Sequence, residues 1–439
     1  MFKTFINAFK IKDLRKKMLI TLLLLFVYRV GCWLTVPGIS PGALQDAATM
    51  GDGVTFLSLM NSISGGALAN ASIFALGVSP YISASIIIQL LTVAIPALER
   101  TSKQGEEGRK KINFYTRIAA LVLATAQAIG IVASYANESS FIDTRLFGAS
   151  TPVWITCAVI ALVLVSGAMF TVWLGERITD IGVGNGLSLL IFVGILSSAC
   201  TGLYTAFQGV ANNIDYLWTI IIFLVAVVVI FGMIVFIDNA ERKVPVQYAK
   251  QVKGRKMYGG QTTNIPIKVN ATGVIPIIFA NAIVSFPQML ISIFWPNTPF
   301  ANWWQNYMGT NSWAYIVATA LLILFFAYFY AQITFNPEDV SKQIQQNGGF
   351  IPGIRAGKPT ADHLGKISKR LTLFGAIYLA FIALVPSLIF NALATTSLDS
   401  TLINAFSVTG LMIIVSVALE LDKQLDAQML MRNYRGFLK

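Results

Sequence analysis

Residues able to do covalent or metal chemistry are scarce in this chain, and their spacing excludes most such chemistries. His363 is the single histidine among 439 residues. Neither a histidine-built metal site nor a histidine-based nucleophilic triad can therefore be assembled, and no metal or cofactor is expected. Cys32, Cys157 and Cys200 fall in apolar stretches without metal-ligand spacing and read as small packing residues. The run Gly182-Val183-Gly184-Asn185-Gly186 lacks the spacing and the preceding strand of a phosphate loop. Close helix approach explains it better, with Asn185 as a cap. What remains is positive charge. Lys250, Lys253, Arg255 and Lys256 cluster in one polar segment, and Arg355 stands among turn residues in another. Such basic loops can hold anionic lipid, the acidic backbone of RNA or an acidic protein patch. Arg29 is the one clear charge inside an apolar stretch, where a central Arg costs about 2.5–3.5 kcal/mol to insert. It lies near an end, placed to snorkel or to pair with protein groups. No carboxylate stands in the middle of an apolar stretch, which counts against a proton- or sodium-coupled carrier.

The elements that must position these residues are apolar spans. With 55% hydrophobic and 12% charged residues, the composition is not that of a soluble globular chain. Ten segments of about 20 mostly apolar residues are each long enough to cross a bilayer. They run Met18–Val36, Ile73–Ile95, Phe114–Ser134, Pro152–Leu174, Gly184–Phe207, Tyr216–Ile237, Ala271–Phe294, Trp313–Phe335, Leu371–Asn391 and Thr401–Glu420. Thirty of the 32 Lys and Arg residues lie on one face of this zigzag, counting Arg117 just inside the third span at that face, the exceptions being Arg145 on the other face and Arg29 within the first span. Lys and Arg resist export, so the rich face is cytoplasmic, both termini lie inside, and most of the net charge of +12 is topological. The first span is too long for a cleavable signal peptide, and no small-residue cleavage site follows Val36.

Several stretches depart from a plain helical bundle. The outer segment between Pro37 and Ile73 holds no Lys or Arg, and within Thr55–Leu68 the residues Phe56, Leu59, Met60 and Ile63 recur at helical spacing before Gly65-Gly66. It fits a short helix dipping back between spans, and equally a loop on the membrane surface. The second span carries Gly77 and Pro80 early, then Ser83, Ser85, Gln89 and Thr92; the seventh carries Gly273, Pro276, Asn281, Ser285 and Pro287. Proline kinks a helix and small polar side chains favour helix contact, so both read as inward-facing, deformable spans. In the polar segment 238–270, apolar residues alternate at Val244, Val246 and Tyr248 and again at Ile265, Ile267 and Val269, which predicts a β-ribbon. The segment 336–370 is a turn-rich loop with Gly348-Gly349, Pro352-Gly353 and Gly357.

Long stretches of this sequence resemble the SecY/Sec61 alpha family of protein translocase pores. They include YRVGCWLTVPGI from Tyr28, SGGALANASIFALGVSPYISASIIIQLL from Ser64, WLGERITDIGVGNGLS from Trp173, YAKQVKGRKMY from Tyr248, IKVNATGVIPIIFA from Ile267, FNPEDV from Phe335 and FIPGIRAG from Phe350. The resemblance implies an all-α membrane protein: ten transmembrane helices in two inverted five-helix halves, 1–207 and 208–439, around an hourglass pore. The segment at about 55–70, with Phe56, Leu59, Met60, Ile63, Gly65 and Gly66, becomes a re-entrant plug helix, and the segment 238–270 a cytoplasmic β-ribbon. A mid-membrane apolar ring falls on Val78, Ile82, Leu187, Ile191, Ile278 and Ile413, the last placed by aligning Thr409 and Tyr434. A lateral gate lies mainly between the second and seventh spans, at Gln89, Thr92, Asn281 and Ser285. Lys250, Lys253, Arg255, Lys256 and Arg355 match positions that dock the ribosome, including its RNA, or the motor ATPase SecA. Arg355-Ala356-Gly357 replaces the family's frequent Arg-Pro-Gly, which loosens that turn. Small membrane subunits of the SecE and SecG type, signal peptides, nascent chains and anionic lipids are the other implied partners. The expected function is a passive, gated channel in the bacterial plasma membrane for unfolded polypeptides, releasing transmembrane segments sideways and containing no catalytic centre. The rival is a multi-span secondary transporter of small solutes, which requires a polar central site. An intramembrane enzyme requires a clustered catalytic set, and His363 sits in a loop.

Overall fold

The computed structural model describes residues 2–39, 61, 64–102, 104–135, 152–212, 216–248, 251–253, 256–258, 262–270, 273, 275–294, 298–308, 312–394 and 408–436. Within them the chain forms helices α1 (Phe2–Lys10), α2 (Lys12–Gly31), α3 (Ser79–Ala94), α4 (Pro96–Ser102), α5 (Glu106–Tyr135), α6 (Val153–Ile181), α7 (Gly186–Asn212) and α8 (Tyr216–Asp238). Strands β1 (Glu241–Tyr248), β2 (Gln251–Lys253), β3 (Lys256–Tyr258) and β4 (Thr262–Lys268) follow. Then come α9 (Ile275–Phe294), α10 (Pro299–Met308), α11 (Trp313–Thr334), α12 (Pro337–Gln346), β5 (Gly349–Phe350), α13 (Lys358–Ala394) and α14 (Val408–Gly436).

Each of the ten predicted spans overlaps a helix among the described residues, although several ends differ. Six described helices (α5, α6, α7, α8, α11 and α13) are long and apolar enough to cross a membrane, and the bent pair α3–α4 makes a seventh if counted as one span. α2 carries Arg15, Lys16 and Lys17 near its start, and Glu420, Asp422 and Lys423 lie midway along α14. The protein is a multi-pass membrane protein.

The first span does not run to Val36. α2 ends at Gly31, the chain turns through Cys32–Leu34, and Thr35 then bridges Ser72, with the Val36 amide donating to Ala71 (2.8 Å) and the Ile73 amide to Leu34 (2.9 Å). A residue preceding proline is pushed out of the helical region, and Pro37 follows Val36 directly. Nor do Gly77 and Pro80 kink the second span; they start it. Gly77 is left-handed (φ 53°), and Pro80 occupies the first turn of α3, where its missing amide costs nothing. The actual break is at Ile95–Pro96, where α3 and α4 meet at 106°. In the seventh span Pro276 again sits in the first turn, and Pro287 alone is internal.

The segment 336–370 is also more helical than a turn-rich loop. Asn336 caps α12, its Oδ1 accepting from the Glu338 amide (3.1 Å), with Pro337 in the first turn. α13 begins at Lys358, so His363 lies in a helix rather than a loop.

Two compact units result. One comprises Met1–Ile222, Ser285–Tyr315 and Asn391–Lys439; the other comprises Phe223–Val284 and Ile316–Phe390. In the first, Val36, Leu68, Leu76, Ala124, Ile131, Ile160 and Leu164 form an apolar core, and a smaller cluster joins Ala8, Leu14, Met18, Val183 and Leu425. In the second, the predicted ribbon is present. β1 and β4 pair antiparallel from Glu241↔Lys268 to Gln247↔Thr262, β5 adds to β1, and β2 and β3 pair beyond them. Val244, Val246 and Ile267 point from the ribbon into a core with Ile344, Ile351 and Leu364 of the following segment. Period-two burial thus fastens the ribbon to α12 and α13.

Candidate functional site

The start of α3 is held closely by its neighbours in the first unit. Val78 precedes the helix and is 3% exposed. The buried hydroxyl of Thr171 on α6 donates to the Gly77 carbonyl at 3.0 Å. Gly167, one turn earlier on α6, leaves room for the main chain at Ile73, which a Cβ would strike. The glycine-rich turn before α7 works the same way. A Cβ on Gly186 would collide with the Gly175 carbonyl of α6, and one on Gly182 with the Thr21 hydroxyl of α2. Thr21 Oγ1 accepts from the Val183 amide (3.1 Å), Thr179 Oγ1 from the Gly186 amide (2.9 Å) and Asn185 Oδ1 from the Leu187 amide (3.2 Å). Close helix approach with Asn185 as the cap is therefore what the run provides.

These contacts set the backbone at four of the six aliphatic positions. Val78 and Ile82 lie at the start of α3, and Leu187 and Ile191 at the start of α7. Leu187 packs its methyl groups over Gly175. Val78, Ile191 and Ile413 are buried, whereas Ile82, Leu187 and Ile278 are half-buried. Ile413 lies on α14 in the first unit and Ile278 on α9 in the second.

Beside these positions, Ser64–Gly66 forms a tight turn. Gly65 and Gly66 are both left-handed (φ 73° and 84°). Asn61 organises the turn: its carbonyl accepts from the Gly66 amide (2.9 Å) and its Oδ1 from the Ala69 amide (2.9 Å). Arg29 of α2 donates Nη1 to the Gly65 carbonyl at 2.8 Å and lies 5.7 Å from the centroid of the Trp33 ring. The charge inside the first span is thus neutralised in part by a carbonyl dipole and an aromatic face. A Cβ on Gly65 would press on Gly194 of α7. Phe56, Leu59, Met60 and Ile63 lie outside the described residues.

Of the polar positions on the second and seventh spans, Gln89 is exposed and Asn281 half-buried. Thr92 donates its hydroxyl to the Ile88 carbonyl within its own helix (2.7 Å), and Ser285 belongs to α9. One clamp escaped sequence reasoning. Arg117 of α5 makes a bidentate ion pair with Glu176 of α6, Nε to Oε1 at 2.7 Å and Nη2 to Oε2 at 2.8 Å. The partners are 59 residues apart and sit at the ends of their spans, so no local pattern links them.

The second unit presents the basic segment. Arg355 is exposed on the turn between Ile351 and α13. Two hydroxyls hold that turn: Thr360 donates to the Arg355 carbonyl (2.8 Å) and Ser341 to the Gly357 carbonyl (2.7 Å). Gly353 and Gly357 supply left-handed corners (φ 82° and 96°). The turn is therefore closed although Ala356 stands where a proline ring was expected. Lys253 and Lys256 pair in register at the ribbon tip, while Lys250 and Arg255 lie outside the described residues. The ribbon root is tied by Asn270 Nδ2 donating to Asp238 Oδ1 (2.7 Å). Among the described residues no three His, Cys, Asp or Glu side chains group as metal ligands.

The chain matches the SecY family model over residues 72–421. It is 41% identical over 446 residues to the protein translocase subunit SecY of Streptomyces coelicolor, covering all of both chains. Among solved structures it resembles a protein-conducting channel (TM-score 0.65, 18% identity, 94% of this chain and 92% of that one). It also resembles Sec61 in a canine ribosome–channel complex (TM-score 0.61, 17% identity, 94% and 92%). The structural likenesses show a shared fold, and the family match and full-length identity to a SecY subunit show that this chain belongs to the SecY family.

Proposed function

We propose that this chain is the pore of a protein translocase, a passive gated channel through which unfolded secretory polypeptides cross the plasma membrane. The observation that carries the reading is the 41% identity to a SecY translocase subunit over the whole of both chains. The physics of the assigned ring supports it. Val78, Ile82, Leu187, Ile191, Ile278 and Ile413 are all aliphatic. A narrow aliphatic ring sheds water and so opposes ions, yet side chains without directional bonds can part around a peptide of any sequence. A secondary transporter of small solutes needs polar ligands at that level, and the assigned positions offer none.

In this proposal the two halves, 1–207 and 208–439, are inverted relative to each other, and both termini and the ribbon face the cytoplasm. The segment at about 55–70 plugs the outer side. The spans carrying Gln89, Thr92, Asn281 and Ser285 part to release signal segments into lipid, because an apolar segment can replace the helix–helix contact it breaks. Arg355 and the basic ribbon tip dock the ribosome, as the canine Sec61 neighbour in its ribosome–channel complex suggests, or the motor SecA. SecE- and SecG-type subunits brace the halves, and anionic lipids surround the basic face. The chain performs no bond chemistry; energy comes from the motor or from chain elongation. The test is a double substitution, Ile82→Asn with Ile278→Asn, studied in planar bilayers. It should wet the ring and raise resting ion conductance or relax selection of signal sequences. Unchanged conductance and unchanged selection would remove the aliphatic gate from the proposal.

A further inference from the structure

Residues 295–312 join the seventh predicted span to the eighth, at the end of both that is opposite the polar segments 238–270 and 336–370. None of them is Asp, Glu, Lys or Arg. Helix α10 (Pro299–Met308) occupies the middle of this link. Its 10 residues rise about 15 Å, half of a hydrocarbon core, so it cannot cross the membrane. Thr298 caps its start, Oγ1 accepting from the Ala301 amide (3.3 Å). Its end is tied to the first turn of α11 through Ser312, whose hydroxyl donates to the Tyr307 carbonyl (2.6 Å) and accepts from the Tyr315 amide (3.2 Å).

The sequence of α10 is two-faced. Phe300, Trp303, Trp304 and Tyr307 recur at the three- and four-residue steps that share one helix face, while Asn302, Gln305 and Asn306 take positions between them. The rings form one connected row. Phe300 stacks on Trp303 with centroids 6.1 Å apart and lies 6.4 Å from Trp304, and Trp303 meets Tyr307 at 5.4 Å. Phe300, Trp303 and Tyr307 are nevertheless each more than half exposed. A second exposed row begins where α11 does. Trp313, Val317, Leu321 and Phe325 follow at steps of one turn, all more than half exposed, on a helix long and apolar enough to cross a membrane. Facing water, a contiguous apolar row of this kind is a liability. Trp and Tyr join an apolar ring to one polar N–H or O–H, which suits the layer between acyl chains and headgroups.

We infer that α10 lies flat in the membrane–water interface, its aromatic face seated at the level of the lipid glycerol and carbonyl groups. The occupant of that face is the lipid layer itself, because the lipid-facing row of α11 starts directly after the link and because 295–312 offer no charge to a charged partner. The Trp303 indole N–H and the Tyr307 hydroxyl donate to ester carbonyls, and the Phe300 ring reaches the top of the acyl chains. Seating is driven by apolar area and not by headgroup charge, unlike attraction of lipid to the basic loops. The inference requires that the chain is a membrane protein but not that it conducts polypeptides, so its test leaves transport aside.

Site-directed spin labelling of the full chain in phosphatidylcholine vesicles reads the surroundings directly. Asn302→Cys, Trp303→Cys, Asn306→Cys and Tyr307→Cys are made singly in a background of Cys32→Ala, Cys157→Ala and Cys200→Ala, and each is labelled with a nitroxide. Oxygen, which concentrates in lipid, should relax the labels at 303 and 307 most. A water-soluble nickel complex should relax those at 302 and 306 most, so the two profiles run out of phase. Vesicles containing phosphatidylglycerol should give the same pattern. A second measurement needs no label and keeps the native cysteines. The emission lost in Trp303→Phe with Trp304→Phe, a pair of changes that keeps the row aromatic, isolates the two indoles. It should be quenched more by phosphatidylcholine brominated near the top of its acyl chains than near their ends. Nickel access at all four positions would place α10 in water and overturn the inference. Shielding of 303 and 307 from both reagents would show protein covering the face, and an oxygen pattern seen only with phosphatidylglycerol would show seating by charge; either result overturns it too. So would the absence of bromine quenching of the two indoles.

Discussion

Replacing Arg29 with Leu removes the charged donor from the Gly65 carbonyl and the cation from the Trp33 ring. A hydrogen bond from a charged donor contributes about 1.5–3 kcal/mol net. Lost from the seated turn alone, that amount shifts the balance between seated and displaced forms of the Ser64–Gly66 turn by about 10- to 150-fold. The substitution also takes a charge out of an apolar span, which lowers the cost of insertion. Poor membrane integration therefore cannot mimic the effect. If the turn anchors the plug, the purified variant should show resting ion-conductance events in planar bilayers more often by a factor in that range. Arg29→Lys should lie between, since one ammonium keeps the charge but lacks the planar fork. Gly65→Ala offers a second route to the same state: its Cβ would press on Gly194 and on the Arg29 guanidinium, and its φ of 73° disfavours any side chain, while the charge stays in place. Wild-type leak in both Arg29→Leu and Gly65→Ala would refute the anchoring argument.

Two further outcomes follow from the geometry. Arg355→Glu reverses an exposed charge whose turn is held by the Thr360 and Ser341 hydroxyls; secretion measured in a complemented strain should fall, while the level of this protein in the membrane stays normal. Equal secretion would show that charge to be idle. Gly186→Val drives a side chain into the Gly175 carbonyl, and should cost about 1–3 kcal/mol or more. Thermal unfolding followed by tryptophan fluorescence should show a clear drop in midpoint, and an unchanged midpoint would contradict the close α6–α7 packing.

The spans were readable because length and apolarity are properties of a single segment, and the ribbon because period two is. Their ends were less readable. Cys32–Val36 is apolar enough to be helical, but the partner that Leu34–Val36 bonds instead, Ala71–Ile73, is remote in sequence. Proline reads as a kink until its position relative to the helix start is known, as Pro80 and Pro276 show. The glycine run could be read as a close approach, but not that it approaches Gly175 and Thr21. For the Arg117–Glu176 clamp and the Arg29–Gly65 contact, the partner depends on how spans pack, which no single span encodes. The six ring positions came only from resemblance. On one helix an aliphatic residue that faces a pore is chemically the same as one that faces lipid.

The central claim is that a polypeptide in transit passes through the six aliphatic positions. It is tested most directly by placing a photo-crosslinking amino acid at Val78, Ile82, Leu187, Ile191, Ile278 and Ile413 in turn, and at the exposed Leu321 and Ile377 for comparison. A secretory chain is then stalled midway and irradiated. The account predicts crosslinks from the six positions to the stalled chain and none from the two outward ones. Crosslinks to Leu321 or Ile377 with silence at the six would contradict it.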